Sequence, residues 1–382
     1  VKQNYDVIVI GAGSVGLPLS QRLAVKGLRV AVLDQMPSVG QGENKAAIGG
    51  IRATHSDRAK IKIGNASLDF IRRLKPEYGE DVDYVEGGYL FPVYNQEIEE
   101  NLRKLLPIQK NFGLNIDWIG PAEVREIAPG IREEGLLGGT FSPNDGHLSS
   151  LKLAGAFHRM ALRAGVEFFF NTKVVGLAVE KQKIKEVKTS RGSFSAPFVV
   201  NAAGGYGREI GLMAGADLKV YPESHEAGVT EPVQPFLKPM LVDIEPDVDS
   251  DNYYFYQNYA GSVVFCVTPR PPRFGTDRRS TSEFLPMVVP RMLKLYPRLR
   301  NLRVRRIWRG LYPMTPDAKP IVGFDKDIEG FFHAVGMCGQ GLMLGPGLAE
   351  MIAAAVAEGK EDPAVFEDLS PYRDFAGEEF LQ

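Results

Sequence analysis

An apolar run, Tyr5 to Ile10 (YDVIVI), leads directly into Gly11-Ala12-Gly13-Ser14-Val15-Gly16, and a second apolar run, Arg29 to Leu33, ends at Asp34. The segment between the runs is helix-length, so this stretch is expected to form a βαβ unit of parallel strands with a right-handed crossover. The glycine spacing fits the dinucleotide fingerprint: the first for a tight turn, the second for close pyrophosphate approach, the third for helix–strand packing. A bare match is weak, but here it follows a strand, opens a helix and has an acid 18 residues past Gly16. Asp34 is placed to accept hydrogen bonds from a ribose diol, which argues against a 2′-phosphate there. The reading is a bound adenine dinucleotide; the alternative is a tight βα turn with no ligand.

Two further glycine-rich segments separate a flavin from a nicotinamide. Gly40 to Arg52 is a long small-residue loop in place of a third alternating strand and helix, and it lets backbone N–H groups approach a large planar ring. Gly336 to Gly347 is glycine-rich and stands immediately before a helix, whose N-terminus stabilises the negative charge of a reduced flavin. Both are expected for FAD and surplus for NAD. Composition agrees: 41 glycines stand where average usage would give about 27. Sixteen of them, at positions 11, 13, 16, 40, 42, 49, 50, 204, 205, 207, 310, 336, 339, 341, 345 and 347, lie in these segments and their like.

Along the chain, two textures alternate. Helices are expected over Ser56–Leu74, Asn95–Phe112, Leu151–Ala164, Glu283–Tyr296 and Gly347–Glu358. Strands are expected at Glu167–Asn171, Lys173–Val179, Phe198–Asn201, Tyr253–Tyr256, Ser262–Thr268 and Phe331–Val335. Residues 84–143 and 222–314 look β-rich. Two architectures therefore alternate along one chain.

Taken in order, Gly11 to Gly16, Gly49-Gly50-Ile51-Arg52, Asn144-Asp145-Gly146-His147, Val199 to Gly204, Thr315-Pro316-Asp317 and Gly339-Gln340-Gly341 resemble the D-amino-acid oxidase superfamily of FAD proteins. More narrowly they resemble the branch of glycine oxidase, sarcosine oxidases and the catalytic subunits of dye-linked L-proline dehydrogenases. The resemblance spans nearly the whole chain. It implies an α/β (α+β) architecture of the p-hydroxybenzoate-hydroxylase type, with a discontinuous Rossmann-like FAD-binding domain (1–83, 144–221 and 315–382) intertwined with a β-rich substrate domain (84–143 and 222–314), which accounts for the alternation.

The resemblance also implies roles. Arg52 would anchor a substrate carboxylate, since a guanidinium matches a carboxylate bidentately; the plain alternative is a structural arginine. Tyr312 would lie at the substrate side of the flavin, with Tyr254 and Tyr256 on a strand that supplies another tyrosine; all three could equally be ordinary strand aromatics. His55, three residues past Arg52, is a candidate for the same cavity, and Met343 stands where sarcosine oxidases of the monomeric type carry a lysine. The candidate cofactor set is Gly11, Gly13, Ser14, Val15, Gly16, Asp34, Gln35, Asn44, Lys45, Ala47, Ile48, Gly49, Val174, Ala202, Ala203, Gly204, Gly310, Gly339, Gln340, Gly341, Leu342 and Met343. Those oxidases attach flavin through a cysteine where this chain has Gly310, so FAD is expected to be noncovalent. They also carry a lysine that assists oxygen reduction, and Gly261 to Thr268 has none, so slow use of oxygen is expected.

The expected activity is FAD-dependent oxidation of a small, secondary amino acid such as proline or sarcosine to its imine. The alternatives are an oxidase producing hydrogen peroxide, a glycerol-phosphate dehydrogenase, and an FAD-bearing subunit without catalysis. The net charge of −2 gives no reason to expect nucleic acid. It hides a basic segment: residues 270–309 hold eleven Arg and one Lys against Asp277 and Glu283, a local charge of +10. That segment is a docking face for an acidic partner such as an acceptor or partner subunit, a funnel for anionic substrates, or a solvated surface. The two cysteines, Cys266 and Cys338, match no metal-ligand spacing, and no metal is expected. No secretory pattern or membrane span is read, Leu348 to Ala357 being too short and interrupted by Glu350, so the expectation is a cytoplasmic protein with peripheral membrane contact left open.

Overall fold

The structure, a computed structural model, describes residues 3–377 and residue 381. The glycine fingerprint joins strand Val7–Ile10 to helix Gly16–Val25, and strand Val30–Leu33 follows, parallel to the first with Val7 opposite Val30. Every residue of both strands is buried, because helices and sheets cover both faces; this is why they read as unbroken apolar runs instead of alternating ones. They belong to a six-stranded sheet in the order Ile321–Phe324, Phe331–Val335, Phe198–Asn201, Val7–Ile10, Val30–Leu33, Glu167–Phe169. All pairs are parallel except the first. Strand order reverses between Val7–Ile10 and Phe198–Asn201, which makes a crevice beyond their carboxyl ends, where Gly11 and Ala202 lie.

The second large sheet has eight strands in the order Val304–Met314, Tyr221–Pro232, Ser262–Pro269, Ser250–Gln257, Met240–Asp243, Tyr89–Val93, Gly138–Ser142, Asp117–Ile119. Its pairs are antiparallel except Met240–Asp243 with Tyr89–Val93. The architecture is thus the mixed α/β arrangement expected, a Rossmann-like sheet beside a β-rich one. One face of the β-rich sheet packs on helix Phe284–Leu295 through Phe255, Phe265, Phe284 and Tyr296. The opposite face supplies the walls of the site described below.

Two helices differ from expectation. The expected Ser56–Leu74 helix is Arg58–Tyr78, capped by the Asp57 side chain, which accepts from the Lys60 N–H, and closed by Gly79 in the left-handed conformation. The expected Gly347–Glu358 helix starts at Gly341 and runs through Pro346. Pro346 forfeits one helical hydrogen bond, but Gly345 lies so close to the fingerprint turn that a Cβ there would come 2.0 Å from the Ser14 carbonyl. Close packing on that turn, not local propensity, sets the helix start. At 18 residues and a mean hydropathy of 1.3 it is long and apolar enough, by length and composition, to cross a membrane, which corrects the expectation that no segment qualifies. Its Leu344, Leu348 and Ile352 are buried in the core that also holds Leu17, Leu19 and Ile63.

Candidate active site

A cavity of about 1000 Å³ extends from the fingerprint turn to the inner face of the β-rich sheet. At its dinucleotide end the three fingerprint glycines have separate reasons. Gly11 has φ +114°, and a Cβ there would lie 2.4 Å from the Ala202 carbonyl oxygen. Gly16 packs so tightly that a Cβ would lie 1.9 Å from the Gly11 carbonyl. At Gly13 nothing lies within 4 Å of a Cβ, and the residue lines the cavity, so the space its missing side chain leaves belongs to a ligand. Asp34 accepts from the N–H groups of Ala12 and Met36, each at 2.7 Å, which fixes its carboxylate at the cavity wall. Burial raises its pKa and the two N–H groups oppose that rise.

Of the candidate cofactor residues, all but two line this cavity. Gly16 does not: its role is the close helix–strand approach just described. Lys45 does not either: it is exposed, with its ammonium toward Gln41. Between the fingerprint and Tyr312, Gln340 is buried and lines the cavity just before helix Gly341–Glu358, and neither polar atom of its amide has a hydrogen-bond partner among the described residues. A buried amide with both atoms open matches a ring that offers both donors and acceptors. Open space at Gly13, a carboxylate at Asp34 and an unpartnered amide at Gln340 fit an FAD laid along the cavity.

The substrate end is built by alternation. Tyr221, Glu223, His225 and Ala227 line the cavity from one strand, Asn252 and Tyr254 from a second, Cys266 and Thr268 from a third, and Gly310, Tyr312 and Met314 from a fourth. Along the first and third of these strands the spacing is two residues, as side chains on one face of a strand require; along the second and fourth the intervening Asp251, Leu311 and Pro313 line it as well. The Tyr254 and Tyr312 hydroxyls are 2.5 Å apart, and the Cys266 thiol lies beside them. Burial raises the pKa of both tyrosines, so they are neutral hydroxyls, and pushes the thiol up to about 11. The His225 ring stacks on Tyr312 at 3.8 Å between centroids, and burial lowers its pKa, keeping it neutral.

Arg52 is 6% exposed and lines the same cavity. Its guanidinium donates to two backbone carbonyls, those of Thr54 and Leu381, the latter at 2.9 Å. Burial lowers its pKa, offset by Asp145 and the neighbouring tyrosines, and an arginine stays charged even so. Among the described residues it enters no ion pair. Asp145 instead accepts from the Ala53 N–H at 2.8 Å and the Thr54 hydroxyl at 2.5 Å, bracing the backbone that carries Arg52. Burial raises the Asp145 carboxyl to about 6.

Two other candidates lie outside the cavity. Tyr256 shares a face with Tyr254, but the Ile48–Gly49 loop covers it: its hydroxyl donates to the Ile48 carbonyl, and its ring packs 4.2 Å from that of His147. His55 is fully buried behind the Arg52 segment, where Gln109 donates to its carbonyl and burial together with Arg52 drives its pKa well down. Met343 lines the cavity as expected. Sequence reasoning missed Cys266, Asp145 and Lys60 as members of the site or its support. Lys60 is a fully buried lysine whose ammonium donates to the Ala318 carbonyl at 3.1 Å. Tyr254 was singled out by the resemblance; Cys266 lies on the neighbouring strand opposite it in register, a pairing no local pattern shows, and nothing local marks Lys60.

Comparison with known proteins follows the same lines. A family model described as DAO, FAD dependent oxidoreductase, matches residues 6–355. Glycine oxidase of Geobacillus kaustophilus is 26% identical over 375 residues, covering 96% of each chain. The mitochondrial dimethylglycine dehydrogenase of Rattus norvegicus is 24% identical over 97% of this chain, which spans only 45% of that longer protein. The crystal structure of L-proline dehydrogenase from P. horikoshii superposes with a TM-score of 0.91 at 29% identity, covering 98% of both chains.

Proposed function

Because the chain belongs to the DAO family of FAD-dependent oxidoreductases, we propose that it oxidises a small, secondary amino acid such as proline or sarcosine, binding the carboxylate on Arg52. The observation that carries this reading is a buried guanidinium in the cavity wall that, among the described residues, donates to two neutral carbonyls and enters no ion pair. Its charge is left for a ligand, and a carboxylate bound there is strongly attracted because water is excluded. The names of the relatives, glycine oxidase and L-proline dehydrogenase, support the substrate class.

When bound, FAD supplies the acceptor for a hydride from the carbon next to the substrate nitrogen, and the product is an imine. The chain's part is to orient and enclose. Arg52 fixes the carboxylate end, the neutral Tyr254–Tyr312 pair walls the cavity, and His225 holds the Tyr312 ring in plane by stacking. A neutral His225 adds no positive charge to oppose the substrate amine. A noncovalent FAD is supported at the position where the monomeric sarcosine oxidases attach it: Gly310 offers no side chain, and a Cβ there would meet Ala46 at 2.6 Å. Acid precipitation should therefore leave all flavin in the supernatant.

A carboxylate held by two charge-assisted hydrogen bonds is worth about 3 kcal/mol, so Arg52→Ala should raise KM roughly 100-fold with FAD still bound. The same variant should oxidise the carboxylate-free amine, pyrrolidine for proline, as the parent does. An unchanged KM for the amino acid would remove Arg52 from the site. The glycine oxidase likeness favours a second reading, an oxidase. Against it, the lysine among the lining residues is Lys173, beside Thr172 and Asp34 at the dinucleotide end. Rapid return of flavin colour on admitting air to the reduced protein would favour the oxidase.

A further inference from the structure

Residue 381 lies 329 positions from Arg52 in sequence, yet its carbonyl accepts from the Arg52 guanidinium at 2.9 Å in a buried setting. The Leu381 side chain is itself buried, in an apolar cluster with Tyr89, Phe91, Met240 and Val242. Three of these, Tyr89, Met240 and Val242, also line the cavity, whereas Leu381 does not. Leu381 therefore packs against residues of the cavity wall without lining the cavity itself, and contacts the arginine.

The chemistry of the contact matters. A carboxylate in that place would neutralise the guanidinium and compete with a bound carboxylate. A carbonyl accepts one N–H, fixes the plane of the ion and leaves its charge intact. Together the Thr54 and Leu381 carbonyls engage both terminal nitrogens. A long side chain that is free to rotate would have to be ordered by each incoming substrate, at a cost in affinity.

We propose that Leu381 is a positioning residue for the substrate site: its side chain anchors the tail in the apolar cluster, and its carbonyl preorganises Arg52 to receive a carboxylate. This rests on the assignment of Arg52 as the carboxylate receptor.

The test uses the FAD-loaded protein and compares the full chain with one ended after Gly377, with Leu381→Ala and Leu381→Met, each alone and in an Arg52→Ala background. KM and kcat are measured for the amino acid that reduces the flavin, and the inhibition constant is measured for acetate. Loss of Leu381 should raise KM and the acetate constant at least tenfold, with kcat within twofold and FAD content unchanged; Leu381→Met should stay within twofold of the parent. In the Arg52→Ala background the same changes should have less than a twofold effect, an outcome that general loosening would not produce. If the truncated chain fails to retain FAD, Leu381→Ala decides by the same numbers. Unchanged or tighter carboxylate binding without Leu381 would overturn the proposal, as would an equal loss in the Arg52→Ala background. Failure of Arg52→Ala alone to weaken carboxylate binding would instead overturn the underlying assignment.

Discussion

Two glycines two residues apart show how differently one residue type can be constrained. At Gly11 an added methyl would strike the Ala202 backbone in a conformation that L side chains rarely adopt, whereas at Gly13 it would enter open cavity. Gly11→Ala should therefore lower the melting temperature even without cofactor. Gly13→Ala should leave the apoprotein's melting temperature within a degree or two and weaken FAD binding at least tenfold by titration, because the methyl occupies the space the pyrophosphate needs. Equal loss of stability in both would contradict the assignment. The sequence pattern marked both positions but could not separate them, since the difference lies in what the rest of the chain brings near. The same holds for Tyr254 and Tyr256: their spacing puts both on one face, and only the Ile48–Gly49 loop, distant in sequence, decides that the second supports a wall and the first forms one.

Helix Arg58–Tyr78 carries a cost that its sequence does not announce. Lys60, in its first turn, is fully buried, and burial, with Arg52 and Lys319 nearby, lowers the ammonium to about 7 from an ordinary value of 10.5. Between those values the unfolded chain binds more protons than the folded one, so folded stability gains as pH rises from about 7 toward 10.5. Lys60→Met should flatten that part of the profile: the melting-temperature difference between variant and parent should shrink or change sign in the parent's favour from pH 7 to pH 9. A difference independent of pH would show that Lys60 titrates normally. Elements of this kind were legible where the pattern is strong. Strands Phe198–Asn201 and Phe331–Val335 fall where the apolar runs put them. The start of helix Gly341–Glu358 was not, because Gly345 and Pro346 read as a break until Ser14 is seen packed against the helix.

For the molecule as a whole, the alternation of textures along the chain becomes two large sheets with one cavity wall each; the alternation followed from periodicity, the pairing of an FAD domain with a β-rich domain from the resemblance, and the shared cavity from neither. The basic segment is less free than its +10 sum implies. Arg270, Arg273, Arg278 and Arg291 are ion-paired with acids outside the segment, Asp251, Glu226, Glu43 and Asp243 respectively, while Asp277 and Glu283 are already counted in the sum. Pairings such as Arg278 with Glu43 join residues 235 positions apart, beyond the reach of any local count. The proposed function requires that the cavity receive an amino acid beside a flavin. Its most direct test is anaerobic mixing of the yellow protein with proline, sarcosine, glycine, pyrrolidine and glycerol 3-phosphate, followed by flavin absorbance. Bleaching by a secondary amino acid at far lower concentration than by its carboxylate-free amine, and none by the polyol phosphate, is the expected result. Bleaching by glycerol 3-phosphate alone, or by none of the five, would contradict it.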